Sequence, residues 1–297
     1  MSANGTRMAD GVEVWNSEIG KIPYIPYEYR FVFPLERAYW NSRAVHAFIL
    51  PLLVLVDPAG LYMRNRKPFK LNGPLMVWNA TLSLFSLCGT IRTGEELWNV
   101  MEKRGLHDTL CYTYGEWPPA RVAPVDPRLL SDPSGIASLW NFLFIVSKGA
   151  ELCDTLFIVL RKRPLIFLHW YHHFAVLIVT WHGAQWIISA SRTFSFMNYA
   201  VHTPMFFYFA VTSAGIRPPR FCAMMVTILQ NVQMIFGVLI TLYIAKTRWL
   251  DGAFCHVTDN DLALCFFVYL TFGLLFSRFF IRAYLRPKLP EKEVKVD

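Results

Sequence analysis

The sequence predicts an all-α polytopic membrane protein with seven transmembrane helices, and three observations carry that prediction. The chain is 54% hydrophobic and 16% aromatic over 297 residues, with a positive mean hydropathy, above the apolar share usual for soluble domains. Its apolar residues gather into runs of about 20, the length that crosses a hydrocarbon core. Lys and Arg are dense in alternate connections, as expected where basic loops stay on one side of a membrane.

Residues 1–38 are polar, mixed in charge and rich in Pro and Tyr, with no apolar h-region. They read as a lumenal segment without a cleavable signal, so the first span, 39–57, acts as its own insertion signal. The second span, 72–92, opens with Asn72-Gly73-Pro74, a helix start. The third is 137–160. The fourth, 164–183, begins at Pro164 after the short basic turn Arg161-Lys162-Arg163, so these two are antiparallel neighbours. Arg192, Asn198, His202 and Pro204 interrupt the fifth, 193–214. The sixth is 219–245 and the seventh 262–284, which makes 39–284 one seven-helix domain and 285–297 a basic tail.

Orientation follows from the connections. Arg64, Arg66, Lys67 and Lys70, then Arg161-Lys162-Arg163, then Arg217 and Arg220, then the tail lysines mark the cytosolic side. Connections 93–136 and 246–261 are longer or more acidic and fall in the lumen, so the amino terminus is lumenal and the carboxyl terminus cytosolic. Asn4-Gly5-Thr6 is then a lumenal glycosylation sequon. Cys111 and Cys255 both fall in lumenal connections, where oxidation is permitted, and form a candidate disulfide; the other four cysteines sit in spans. The net charge of +8 sits beside apolar runs and not in a soluble patch, which argues against a nucleic-acid partner and for headgroups or phosphates.

Polar residues recur at similar depth in four spans, where each is costly unless partnered or at work. Lys148, Glu151, Asp154 and Thr155 share one helix face, as do His169, His172 and His173 on the next span. Asn198 and His202 stand one turn apart on the fifth, and Thr227, Gln230 and Gln233 follow at three-residue spacing on the sixth. Singly, Lys148 with Glu151 reads as a structural ion pair, and Gln230 with Gln233 as interhelical glue. Together they outline a buried pocket open to the cytosol.

Two chemistries suit such a pocket. His169, His172, His173 and His202 could ligate metal in a membrane lipid desaturase or hydroxylase, although such a site normally closes with carboxylates. Alternatively, an imidazole acts as nucleophile or base on a thioester, with Asp154 or Glu151 orienting the ring. Arg161, Lys162, Arg163 and Arg217 suit a polyphosphate-bearing carrier, and the lipid-facing helices can shelter an acyl chain. A seven-helix receptor or transporter with a polar core is the third class.

Lys148-x-x-Glu151-x-x-Asp154-Thr155, His169-x-x-His172-His173, Asn198-x-x-x-His202-x-x-Met205 and Thr227-x-x-Gln230-x-x-Gln233 occur in that order. In this the chain resembles the ELO family of eukaryotic very-long-chain fatty acid elongases, the 3-ketoacyl-CoA synthases of the endoplasmic reticulum, over about residues 30–287. One departure is Met205-Phe206-Phe207-Tyr208-Phe209, where the family usually carries tyrosines, so the hydrogen bonds of two hydroxyls are lost.

The resemblance implies six helices around a closed-ended tunnel, with the first helix outside. It implies condensation of acyl-CoA with malonyl-CoA, with no tightly bound cofactor, through an acyl-imidazole on His172. His202 would assist decarboxylation, while Lys148, Glu151, Asp154, Gln230 and Gln233 place substrate and rings. A direct Claisen route with the histidines as base is the alternative. A Cys153 thiolate stands one step off the polar face. The implied partners are membrane lipid, the ketoacyl reductase, dehydratase and enoyl reductase of the cycle, and a second copy of the chain. Trp170 within the box resembles elongases that prefer saturated and monounsaturated chains.

Overall fold

The computed structural model describes residues 8–9, 12–13, 61–112, 136–186 and 189–285. The expected first span at 39–57, most of the amino-terminal segment, the sequon at Asn4 and the tail beyond Leu285 lie outside the described residues. Two short strands, β1 (Met8–Ala9) and β2 (Val12–Glu13), pair antiparallel with Met8 opposite Glu13. Every other described element is helical. These are α1 (Asn72–Cys111), α2 (Ile136–Ala150), α3 (Leu152–Leu160), α4 (Phe167–Trp186), α5 (Ser191–Ser213), α6 (Arg220–Trp249) and α7 (Asp259–Phe280), the last running into a π turn at Ile281–Leu285.

By length and composition, Asn72–Cys111, Arg220–Trp249 and Asp259–Leu285 can each cross a membrane. α2 and α3, at 15 and 9 residues, are each too short to span alone, and α4 and α5 carry His169, His172, His173, Asn198 and His202, which line an interior cavity (see below). Outward, Leu84, Val77, Ile235, Phe236, Leu239, Phe267 and Leu274 are exposed, an apolar surface of the kind that lipid covers.

Three boundaries differ from expectation. The helix expected to stop at 92 runs on to Cys111, because its continuation is packed and not a solvated connection. Glu96 is buried and forms an ion pair of 2.7 Å with Arg192 of α5. Gly89 lets α1 approach α5 closely: a Cβ there would stand 2.7 Å from the Tyr199 ring. The extension turns at Gly105, whose φ of 79° is a conformation that only glycine adopts without steric cost. Second, the span expected at 137–160 breaks into α2 and α3 at Glu151, where the Asp154 amide bonds the Glu151 carbonyl at three-residue spacing. A single tightened turn of this kind inside a helix commonly marks a functional position. Third, α6 and α7 each extend a few residues beyond their apolar runs, α7 starting on a Thr258 cap whose hydroxyl accepts from the Asp261 amide.

α1 lies along α5 and α6 along α7, and α4 sits between α2 and α7. Leu139, Trp140, Ile145, Leu177 and Tyr199 make the core between α2, α4 and α5. At one end of the bundle a second core gathers Leu110, Ile240, Ile244 and Leu262 around the Cys111–Cys255 disulfide. The Ser189 amide donates to the His256 carbonyl and the His256 amide to the Cys111 carbonyl, fastening the loops there. The opposite, basic end is tied by Arg161, which donates to Asn72 Oδ1 at 2.9 Å.

Candidate active site

The four polar groups named from the sequence, on the expected third to sixth spans, converge on one cavity of ≈ 760 Å³. α3 brings Asp154 and the turn before it Glu151; α4 brings His169, His172 and His173; α5 brings Asn198 and His202; α6 brings Gln230 and Gln233. The three box histidines reach it together because residues one turn apart share a helix face. Their rings touch, His169 to His173 with centroids 4.3 Å apart and His172 to His173 at 5.5 Å. Arg161, Arg163 and Arg217 line the same cavity at the basic end of the bundle.

Most of the polar atoms are held by named partners. Lys148 Nζ donates to Glu151 Oε1 at 2.6 Å and to Asn198 Oδ1 at 2.9 Å, so a buried cation joins α2 to α5. His202 Nδ1 stands 3.7 Å from the same Glu151 oxygen. Thr155 Oγ1 and His169 Nε2 are 3.1 Å apart, which fixes that ring against α3. Gln230 Nε2 meets Met205 Sδ at 3.2 Å. The His172 ring packs on Phe272, centroids 5.0 Å apart, and no side-chain partner constrains its nitrogens among the described hydrogen bonds.

A second, narrower chamber of ≈ 100 Å³ continues toward the disulfide end. His172, Asn198, Gln233 and Met234 line both spaces and so form the junction. Below it the walls are mainly Phe144, Val176, Val179, Val268 and Phe272. Imidazole nitrogens therefore stand where a wide polar vestibule meets a slender apolar recess. Among the described residues, no three His, Cys, Asp or Glu side chains converge as metal ligands.

The model of the ELO: GNS1/SUR4 family matches residues 39–292 of the chain. The chain belongs to the ELO family. It is 40% identical over 229 residues to very long chain fatty acid elongase 6 of Drosophila melanogaster, covering 76% of this chain and 67% of that one. It is 36% identical over 259 residues to very long chain fatty acid elongase 3 of Homo sapiens, covering 87% and 88%. As an ELO protein it is a polytopic membrane protein, consistent with its apolar exterior.

Several expected site residues of this ELO protein lie elsewhere. Lys148 and Thr155 do not line the cavity themselves but hold residues that do. Lys162 turns away, its Nζ reaching the Arg64 carbonyl at 3.4 Å, so only three of the four basic candidates border the vestibule. Arg220 is occupied by the Ala283 carbonyl and the Tyr284 ring. Trp170 is 46% exposed and stacks on Phe174, so no contact with the recess stands behind the chain preference expected from it. Cys153 lines neither space.

Other residues were not legible beforehand. Trp78 Nε1 donates to Asp154 Oδ1 at 2.7 Å, and Asn79, one residue on, lines the vestibule. Asn79 was visible as a polar interruption of an apolar span. Trp78 carried no signal, since tryptophan is ordinary in such a run. Asn141 and Ser195, which border the recess, likewise broke apolar stretches without belonging to a recognisable spacing.

Proposed function

We propose that this chain is the condensing enzyme of fatty acid elongation, joining acyl-CoA to malonyl-CoA to give a 3-ketoacyl-CoA two carbons longer, with CoA and CO₂ released. One observation carries the reading: His172 stands at the junction of a vestibule bordered by Arg161, Arg163 and Arg217 and a narrow apolar recess. An acyl-CoA needs those three environments in that order. Guanidinium groups suit its phosphates, an imidazole faces its thioester, and an apolar channel takes its chain. The elongase names of the relatives point the same way.

The route we favour is two-step. A neutral His172 nitrogen attacks the acyl carbonyl; the new N–C bond forms as the C–S bond breaks, and CoA leaves as the thiol after taking a proton. Malonyl-CoA then enters, loses CO₂, and its carbanion attacks the acyl-imidazole carbon; the C–N bond breaks and the departing imidazole nitrogen takes a proton from water, returning neutral His172. Splitting the reaction lets one vestibule serve two CoA esters in turn. His202, held near Glu151 and Lys148, faces the second ester and stabilises the enolate formed on decarboxylation. Asn198, Gln230 and Gln233 supply further donors at that level. His173 packs against the central ring, and His169 backs His173. The arginine end faces the cytosol, where both CoA esters are found, and the disulfide end faces the oxidising lumen of the endoplasmic reticulum. The reductases and dehydratase that complete a cycle, and a second copy of this chain, are the partners we assign.

Intact-protein mass spectrometry after exposure to acyl-CoA without malonyl-CoA tests both steps. A mass increase of one acyl group, absent in His172→Ala, is expected, and malonyl-CoA should discharge it as 3-ketoacyl-CoA. Full turnover by His172→Ala would remove the nucleophile, and turnover without any adduct would favour direct Claisen condensation.

A further inference from the structure

The recess that would take the acyl chain is not apolar on every side. α4, α6 and α7 present mainly Val176, Val179, Met234, Val268 and Phe272, with Thr180, Cys265 and Tyr269 between them, the Thr180 hydroxyl being spent on the Val176 carbonyl. The wall made by α2 and α5 instead presents Asn141 and Ser195, only 6% and 1% exposed. Ser195 Oγ donates to Asn141 Oδ1 at 2.6 Å. A carboxamide has two donor hydrogens and two acceptor lone pairs, so this bond uses one position of four. Among the described residues the Asn141 amide nitrogen has no acceptor. Exchanging the amide's O and N would only swap which end Ser195 holds and which end remains.

Interhelical glue alone does not account for this. α2 and α5 are already joined by Tyr199 donating to the Trp140 carbonyl and by Lys148 bonding Asn198. Beside a plain polymethylene chain, the free end of a buried amide would be stripped of water and given nothing in return. Depth is defined as well. Asn141 lies seven residues from Lys148 along α2, and Ser195 seven from His202 along α5, so both helices put the pair about 10 Å below the reactive level.

The geometry points to Asn141, steadied by Ser195, as a specificity-determining residue for acyl chains carrying a hydrogen-bonding oxygen, such as a hydroxyl, at a mid-chain carbon; this rests on the condensing-enzyme reading above. The hydroxyl pairs with the free amide end and replaces the water that an unsubstituted chain would expel.

The test is a set of acyl-CoAs of one length in which a single hydroxyl is walked along the chain. Each is elongated with malonyl-CoA by the full chain in lipid nanodiscs, and kcat/KM is expressed relative to the unsubstituted acyl-CoA. The expected profile peaks about tenfold at one mid-chain position in the wild type. Asn141→Leu should flatten it, and Ser195→Ala should lower it by freeing the amide to turn. Because each variant is normalised to its own unsubstituted rate, reduced folding does not imitate the effect; should Asn141→Leu fail to accumulate, Ser195→Ala decides. A wild-type profile without a peak, or one that survives these substitutions, overturns the proposal and leaves the amide as a site for water. Failure to extend even the unsubstituted acyl-CoA removes the condensing-enzyme reading itself.

Discussion

The buried ion pair between Glu96 and Arg192 makes a prediction whose size can be worked from the structure. The two side chains are 2.7 Å apart and almost wholly buried, Glu96 on the extension of α1 and Arg192 at the start of α5. Removing one partner of a buried ion pair costs about 3–5 kcal/mol. The two single substitutions should not be equal, however. Arg104 also acts electrostatically on Glu96, so Arg192→Met leaves the carboxylate a second cation, whereas Glu96→Gln removes the carboxylate that both arginines face. Glu96→Gln is therefore the more damaging, with Arg192→Met costing roughly half as much. The double variant removes both charges of the pair, so its loss should fall short of the summed losses by about 2–3 kcal/mol. In thermal unfolding followed by size-exclusion chromatography in detergent, that coupling corresponds to about 4–12 °C. Additive single and double losses, or Arg192→Met costing more than Glu96→Gln, would refute the reasoning.

Three further outcomes follow from contacts outside the histidine box. Trp78→Phe keeps the ring against Phe157 but removes the donor 2.7 Å from Asp154, so kcat should fall roughly five- to a hundredfold with little change in thermal stability. An unchanged kcat would show that the Asp154 carboxyl needs no such anchor. Alkylation of the denatured protein without reductant should modify four of the six cysteines, Cys88, Cys153, Cys222 and Cys265, and all six after reduction. Replacing Cys111 and Cys255 by serine should cost about 2–5 kcal/mol, since the bond closes a separation of 144 residues; six thiols modified without reductant would show that this end of the bundle is not crosslinked.

What could be read beforehand and what could not divide along a physical line. Bilayer thickness sets the length of an apolar run, so the starts of α1 and α6 fall within a residue of where hydropathy alone predicts them. Helical periodicity sets which side chains share a face, so His169, His172 and His173 could be assigned to one surface before any fold was known. Both are local properties of the chain. Most of the misread features are pairings between distant segments. Glu96 looked like a solvated loop acid because its partner, Arg192, lies on another helix, and nothing in the residues around it distinguishes a paired carboxylate from a wet one. Nothing local marks Gly89, although its missing Cβ is what admits Tyr199. Lys162 looked like one of three equivalent phosphate ligands, yet its backbone adopts a φ of 51° at the turn and carries the side chain toward the Arg64 carbonyl, while Arg161 and Arg163 on either side border the cavity. A charge count fixes the sign of that surface but not the direction of any one side chain. The same reasoning bears on Asn141: a lone amide in an apolar run has no local meaning, and acquires one only when α5 brings Ser195 to one end of it and an apolar recess to the other. In a membrane interior, where an unmatched polar group is expensive, such groups are the places where long-range structure, and with it substrate choice, leaves its mark on sequence.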